Sequence, residues 1–239
     1  MRSESTVGAP IGRRVALGLL LLGGAGVVTG RAAQDGFARL ITPLESADPT
    51  GLLAMLPSGE NFRFYSVTGR VRKADPLTYR LAVGGLVAKP ASYSLATLGA
   101  MPQVSLVRDF QCVTGWRVPN VPWQGVSLAR LIEASEPMPS ATAVRFTSFD
   151  GTYSESLSLD QARRSDVIVA LRMLGRPVTH NHGGPVRMYV APMYGYKSTK
   201  WLSGIELTAA VEPGYWEHNG YDVDGWIGRS NGRDDAPVG

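Results

Sequence analysis

Phe110-Gln-Cys-Val-Thr-Gly-Trp-Arg-Val-Pro-Asn-Val-Pro-Trp123 is the stretch on which the reading of this chain turns. It holds Cys112, the single cysteine of 239 residues. The β-rich run from Val104 to Phe110 predicts a strand that delivers the sulfur. Gly115, Pro119 and Pro122 then predict irregular backbone, with Trp116 and Trp123 close by. A strand that ends in a turn beside one soft ligand holds a sulfur still at a pocket wall. The same residues also suit a buried cysteine acting as a small apolar residue, and taken alone they leave both readings open.

The composition is that of a globular protein: 44% hydrophobic and 18% charged residues. With 28 glycines and 16 prolines, many turns and short strands are expected. A net charge of +4 without a long Lys/Arg run argues against nucleic-acid binding, which needs a concentrated basic stripe. One cysteine excludes an intrachain disulfide. In an exported protein an exposed lone thiol would oxidise, so Cys112 is expected to be buried or ligated.

Arg13-Arg14 precedes an uncharged run, Val15 to Val28, rich in Leu and Gly. The run is short of the ~20 residues a transmembrane helix needs. A twin-arginine pair before a modest hydrophobic region is similar to a Tat export signal. Val28-Thr29-Gly30 is the best small-residue exit, and an uncleaved anchor is the alternative. The expected organisation is therefore an export signal or anchor over 1–33, a linker or arm over 34–61, and a folded domain over 62–239.

Within the domain, strands are expected over Thr78 to Val87 (broken by Gly84-Gly85), Val104 to Phe110, Ala143 to Phe149, Val167 to Met173, Val186 to Val190 and Trp201 to Thr208. Short helices are expected over Ser94 to Ala100 and Ser127 to Ala134, each with a serine N-cap, and over Leu159 to Arg164. This pattern predicts an α+β domain built mainly on sheet. The tail from Val211 onward has little periodicity, but its tryptophans and tyrosines suggest packing or a pocket mouth.

A second dense stretch runs from His180 to Lys200. Gly183-Gly184 lets backbone approach a ligand closely. Arg187, Lys197 and Lys200 can meet phosphate charge, and Ser198 and Thr199 add donors. The stretch reads as a cradle for an anionic cofactor or, equally from its residues, as a solvated basic loop. His180 and His182 lack the paired spacing of a zinc site. No Gly-x-Ser-x-Gly elbow and no Gly-x-Gly-x-x-Gly fingerprint is present.

Together the two stretches resemble the molybdopterin domain of the sulfite oxidase family, from about Phe62 to Trp226. The matching segments are Phe110-Gln-Cys-Val-Thr-Gly-Trp116, Pro122-Trp-Gln-Gly-Val126, Phe146-Thr-Ser-Phe-Asp-Gly151, His182-Gly-Gly-Pro-Val-Arg187, Tyr194-Gly-Tyr-Lys197 and Lys200-Trp-Leu202. The resemblance implies a mostly β, mixed-sheet fold with short helices and a molybdenum–molybdopterin cofactor. It implies that Cys112 is the protein thiolate on molybdenum, a soft ligand beside the dithiolene sulfurs. It places His182, Arg187, Lys197, Ser198, Thr199, Lys200 and Ser148 among the pterin-holding residues, with Tyr65 and Ser66 on a looser alignment. Tyr221, five residues after Trp216, matches a tyrosine that stands over the metal and can donate to a substrate oxygen. It is otherwise a tail tyrosine packed on Trp216 or Trp226.

An Arg-Asn-His segment typical of sulfite oxidases is not evident; Phe64-Tyr65-Ser66 occupies that neighbourhood. The chain looks more like the periplasmic protein-methionine-sulfoxide reductase branch. The resemblance therefore implies an exported oxygen-atom-transfer enzyme that reduces sulfoxides, free or protein-bound, with a membrane haem or quinone-linked electron donor. The alternatives are oxidation of sulfite or a related small anion, and an envelope-binding module without the cofactor.

Overall fold

The computed structural model describes Phe62, residues 66–69 and residues 71–232. The expected export segment, the arm and Tyr65 lie outside these residues. Among the described residues no helix is long and apolar enough to cross a membrane.

The described residues form ten strands and three short α-helices. The first sheet contains β1 (Arg80–Gly85), β2 (Ala91–Ser94), β5 (Ala143–Ser148), β6 (Ser154–Ser158) and β10 (Leu202–Thr208), in the order β2-β1-β10-β5-β6. β1 and β10 are parallel and the other pairs antiparallel, so the sheet is mixed. The second sheet is antiparallel: β3 (Gln103–Gln111), β4 (Arg117–Ser127), β7 (Val167–Met173) and β8 (Arg176–Pro177) in that order, with β9 (Arg187–Val190) also paired to β7. The helices are α1 (Leu95–Ala100), α2 (Leu128–Ala134) and α3 (Leu159–Ala162). The architecture is the mostly β mixed-sheet α+β fold that the sequence predicts.

One core joins both sheets through side chains such as Leu81, Phe146, Leu202 and Ile205 from the first and Val126, Val167, Val169 and Met188 from the second. Ile168, Ala170 and Tyr189, one residue over along β7 and β9, enter a separate cluster with Phe110 and Trp123. Because successive side chains alternate faces, β9 and most of β7 are buried on both sides. That explains their largely apolar runs. Each fully buried Val, Leu or Ile contributes on the order of 1.5–3 kcal/mol.

The main departure lies in the deciding stretch. Residues 117–127 form the longest strand rather than irregular backbone. The register of β3 and β4 shifts between Arg108 and Phe110, leaving Pro119 and Asn120 opposite Asp109 as a bulge. Asn120 takes φ 52° there, and its N–H donates to Asp109 Oδ1 at 2.9 Å. Pairing with β7 begins only at Trp123. Pro119 and Pro122 therefore sit where a missing N–H removes no bond on that side. Likewise Arg176-Pro177 continues as β8 instead of ending the structure, because Leu174 and Gly175 both take positive φ and close a two-residue hairpin turn. Ser94 caps α1 through Thr97 N–H, and Ser158 and Gln161 form a capping box on α3. Ser127 precedes α2 without a side-chain cap bond.

Candidate active site

Cys112 sits in the tight connection between β3 and β4. Its N–H donates to Trp116 O at 2.9 Å, and Gly115, at φ 101°, returns its N–H to Cys112 O at 3.0 Å. The thiol is half-buried rather than sealed in the core, and Sγ lies 3.2 Å from Thr114 Oγ1. It faces a cavity of about 320 Å³ whose wall also includes Ser66, His182, Arg187, Ser198, Lys200 and Tyr221. The structure thus brings seven of the sequence-predicted site residues to one hollow.

The cationic side is built by two crossing segments. Gly183, at φ 93°, has no room for a side chain: a Cβ there would lie 2.5 Å from Lys200 Cβ. This close approach, with Trp201 N–H donating to Gly183 O at 2.8 Å, lays the 178–186 loop on Lys200. Gly195 is equally required, since its Cβ would meet the Phe110 ring at 2.4 Å. Arg187 leaves β9 with 3% exposure. Its guanidinium donates to His182 O (2.8 Å), Ser198 O (3.1 Å) and Met188 O (3.2 Å) and lies 5.4 Å above the Phe110 ring. These are carbonyl partners; among the described residues no carboxylate pairs with it. Burial lowers the Arg187 pKa to about 10, still charged at neutral pH. Lys200 is lowered to about 7 by burial and then by Arg187, against a smaller pull from the Asp150 carboxylate. His182 is lowered to about 4 by burial and by Arg187, Lys200 and Arg176, so its ring is neutral at pH 7. A buried guanidinium held by carbonyls, beside a half-buried lysine, favours an anion.

Much of the wall is aromatic. Trp116, Tyr153, Tyr196, Tyr215, Trp216 and Tyr221 reach the wall. Tyr221 stacks on Trp216 at 5.1 Å and meets Tyr196 edge-on at 5.4 Å. Its two sequence readings therefore do not compete: it is packed on Trp216 and also lines the cavity.

Three predicted residues lie off the wall. Ser148, 6% exposed, accepts from Asp150 N–H at 3.1 Å and so shapes the turn that carries Asp150 to the cavity. Thr199 is fully buried, its carbonyl accepting from Met188 N–H, and its hydroxyl has no hydrogen-bond partner among the described residues. Lys197 is 1% exposed, and its ammonium bonds Glu217 at 2.6 Å, Glu155 at 2.8 Å and Val223 O at 3.0 Å, so it is committed inside the fold rather than to the cavity. Sequence reasoning passed over Asp150, Tyr153, Asn181, Tyr215 and Trp216, which also line the cavity. Asp150 lies inside a quoted motif, and Asn181 lies inside the dense 180–200 stretch. The tail aromatics carried only a compositional signal.

The family described as oxidoreductase molybdopterin binding domain matches residues 68–216. An uncharacterized oxidoreductase, YuiH of Bacillus subtilis, is 36% identical over 160 residues, covering 66% of this chain and 80% of its own. The protein-methionine-sulfoxide reductase catalytic subunit MsrP of Ralstonia nicotianae is 32% identical over 168 residues, covering 60% of this chain and 50% of that protein. Among solved structures, the sulfane dehydrogenase SoxCD of Paracoccus pantotrophus shares the fold, with a TM-score of 0.55 at 20% identity, covering 59% of this chain and 40% of that one. The chain belongs to the molybdopterin-binding oxidoreductase family. It is an oxidoreductase whose cofactor is molybdenum carried by molybdopterin.

Proposed function

Starting from that membership, we propose that this protein is an exported enzyme that reduces sulfoxides such as methionine sulfoxide, with Cys112 as the protein ligand to molybdenum. The observation that carries the reading is the make-up of one cavity wall. A thiol, the buried Arg187 and the half-buried Lys200 lie in it together with a broad aromatic surface.

The residues fit the cofactor. Arg187, buried with carbonyl partners, and Lys200 suit a phosphate, with Ser198 and neutral His182 adding polar contacts; Ser66 extends that side of the wall. No group of three or more His, Cys, Asp or Glu that could hold a metal occurs among the described residues. A metal at Cys112 would accordingly take its other ligands from the dithiolene. The bound cofactor supplies two-electron oxygen-atom-transfer chemistry. Reduction of a sulfoxide consumes two electrons and two protons and releases water. This reading gives the Tyr221 hydroxyl the role of orienting the sulfoxide oxygen and passing it a proton, supported by its stack on Trp216 and its place in the cavity wall. The aromatic surface suits a neutral thioether-like group and excludes water. Among the described residues the wall's Arg and Lys side chains are Arg187 and Lys200, and this reading assigns both to the cofactor. The electrons would come from a membrane haem or quinone-linked partner.

Elemental analysis of the purified protein, followed by turnover of methionine sulfoxide and of sulfite on the same sample, tests this. Molybdenum with sulfoxide reduction is expected. Sulfite oxidation without sulfoxide reduction would reverse the assigned direction, and a metal-free protein from a molybdenum-replete host would remove the catalytic reading.

A further inference from the structure

Glu155, Lys197 and Glu217 meet in the interior behind the aromatic side of the cavity. Lys197 Nζ lies 2.8 Å from Glu155 Oε2 and 2.6 Å from Glu217 Oε1, and all three side chains are at most 1% exposed. Each comes from a segment that also supplies wall residues. Glu155 lies on β6, two residues after Tyr153. Lys197 ends the turn that carries Gly195 and Tyr196. Glu217 follows Trp216 and leads into Tyr221. The Tyr153 hydroxyl joins them, donating to Tyr196 O at 2.5 Å and lying 3.3 Å from Glu155 Oε1. Gly214 leaves room for the arrangement, since a Cβ there would fall 2.8 Å from Glu217 Oε2 and 2.9 Å from Glu155 Cδ.

Two carboxyls share one ammonium in a dry site. The cluster is neutral only while one of them keeps its proton, because an extra buried charge is costly. We propose that Glu155, Lys197 and Glu217 form a proton-carrying clasp that positions the aromatic mouth for substrate, with Lys197 a positioning residue rather than a contact to the cofactor. The effect on substrate rests on the sulfoxide-reductase reading; the clasp itself does not. Burial first, and then Glu217, hold the Glu155 carboxyl well above its ordinary pKa, while Lys197 pulls the other way. The titratable groups facing it are Lys197, Glu217, Tyr153 and Tyr196, with Asp222 behind Tyr196. Stability from the protonated clasp is fully present below the ordinary carboxyl range and is lost as pH rises through the elevated folded value.

The test uses the purified full chain and follows tryptophan emission against pH, with Trp216→Phe identifying the mouth signal. The wild type should show a reversible shift at a pH above the ordinary carboxylate range that Glu155→Gln abolishes, since the amide keeps the neutral form. Persistence of the shift in Glu155→Gln overturns the clasp, whether or not the protein proves to be a sulfoxide reductase. In molybdenum-loaded protein reduced by dithionite and viologen, Lys197→Met should raise KM for methionine sulfoxide by about tenfold with kcat changed far less. Its molybdenum content should match that of wild type. Loss of molybdenum with an unmoved mouth signal would make Lys197 a cofactor contact and refute the proposal. If Lys197→Met does not fold, the Glu155→Gln titration decides alone.

Discussion

Two lysines three residues apart show how differently the cavity wall and the interior handle charge. Lys200 lies on the wall with Arg187, and Asp150 is the wall's carboxylate among the described residues. Lys197 lies inside, where two carboxyls outnumber it. In our reading the first region holds an anionic cofactor, and the second retains a proton and joins three segments. A buried lysine is therefore assigned by its company rather than by its motif.

The comparison is tested most severely at its shared edge, the thiol. Cys112→Ala is expected to bring turnover down to background. Because Cys112 is half-buried with few constraints, stability should move by no more than about 0.5 kcal/mol. A variant that kept turnover would detach the sulfur from the chemistry. Next in size is Arg187→Met. Removing one partner of a buried charge-assisted contact typically costs about 2–5 kcal/mol, so molybdenum and pterin retained through purification should fall sharply. Equal retention would place the phosphate elsewhere.

The Lys200 side also has a pH signature. Its pKa near 7 means that an anion binding the ammonium form takes up a proton above that value. Sulfate, whose charge is fixed over this range, should bind cofactor-free protein best below pH 7. Its affinity should weaken by up to about tenfold per unit above pH 7, until the pKa of the bound state is reached. Calorimetry at several pH values checks this, and a flat profile would remove Lys200 from the anion site. The smallest effect is expected far from the cavity: Ser158→Ala loses the capping box on α3 and about 1 kcal/mol of stability, leaving cofactor content unchanged.

Much of this was legible in the sequence, for physical reasons. Val167 to Met173 was bounded correctly because a strand buried on both faces is apolar throughout. The cofactor-side residues lie in compact motifs, so Arg187, Ser198 and Lys200 could be grouped before any coordinates. What failed was long-range. Pro119 and Pro122 signal irregularity locally, yet the Asp109 bulge and the late arrival of β7 make them compatible with the longest strand. Lys197 resembled Lys200 in sequence because its partners, Glu155 and Glu217, lie 42 and 20 residues away. No local pattern announces such a pairing. The aromatic mouth drew residues from several separate segments, and only folding shows that Tyr153 and Trp216 meet one hollow.

X-ray absorption at the molybdenum edge of wild type and Cys112→Ala, prepared side by side, tests the central claim most directly. The account predicts one fewer sulfur neighbour in the variant, with the dithiolene sulfurs unchanged. An identical sulfur shell in the two proteins would contradict it.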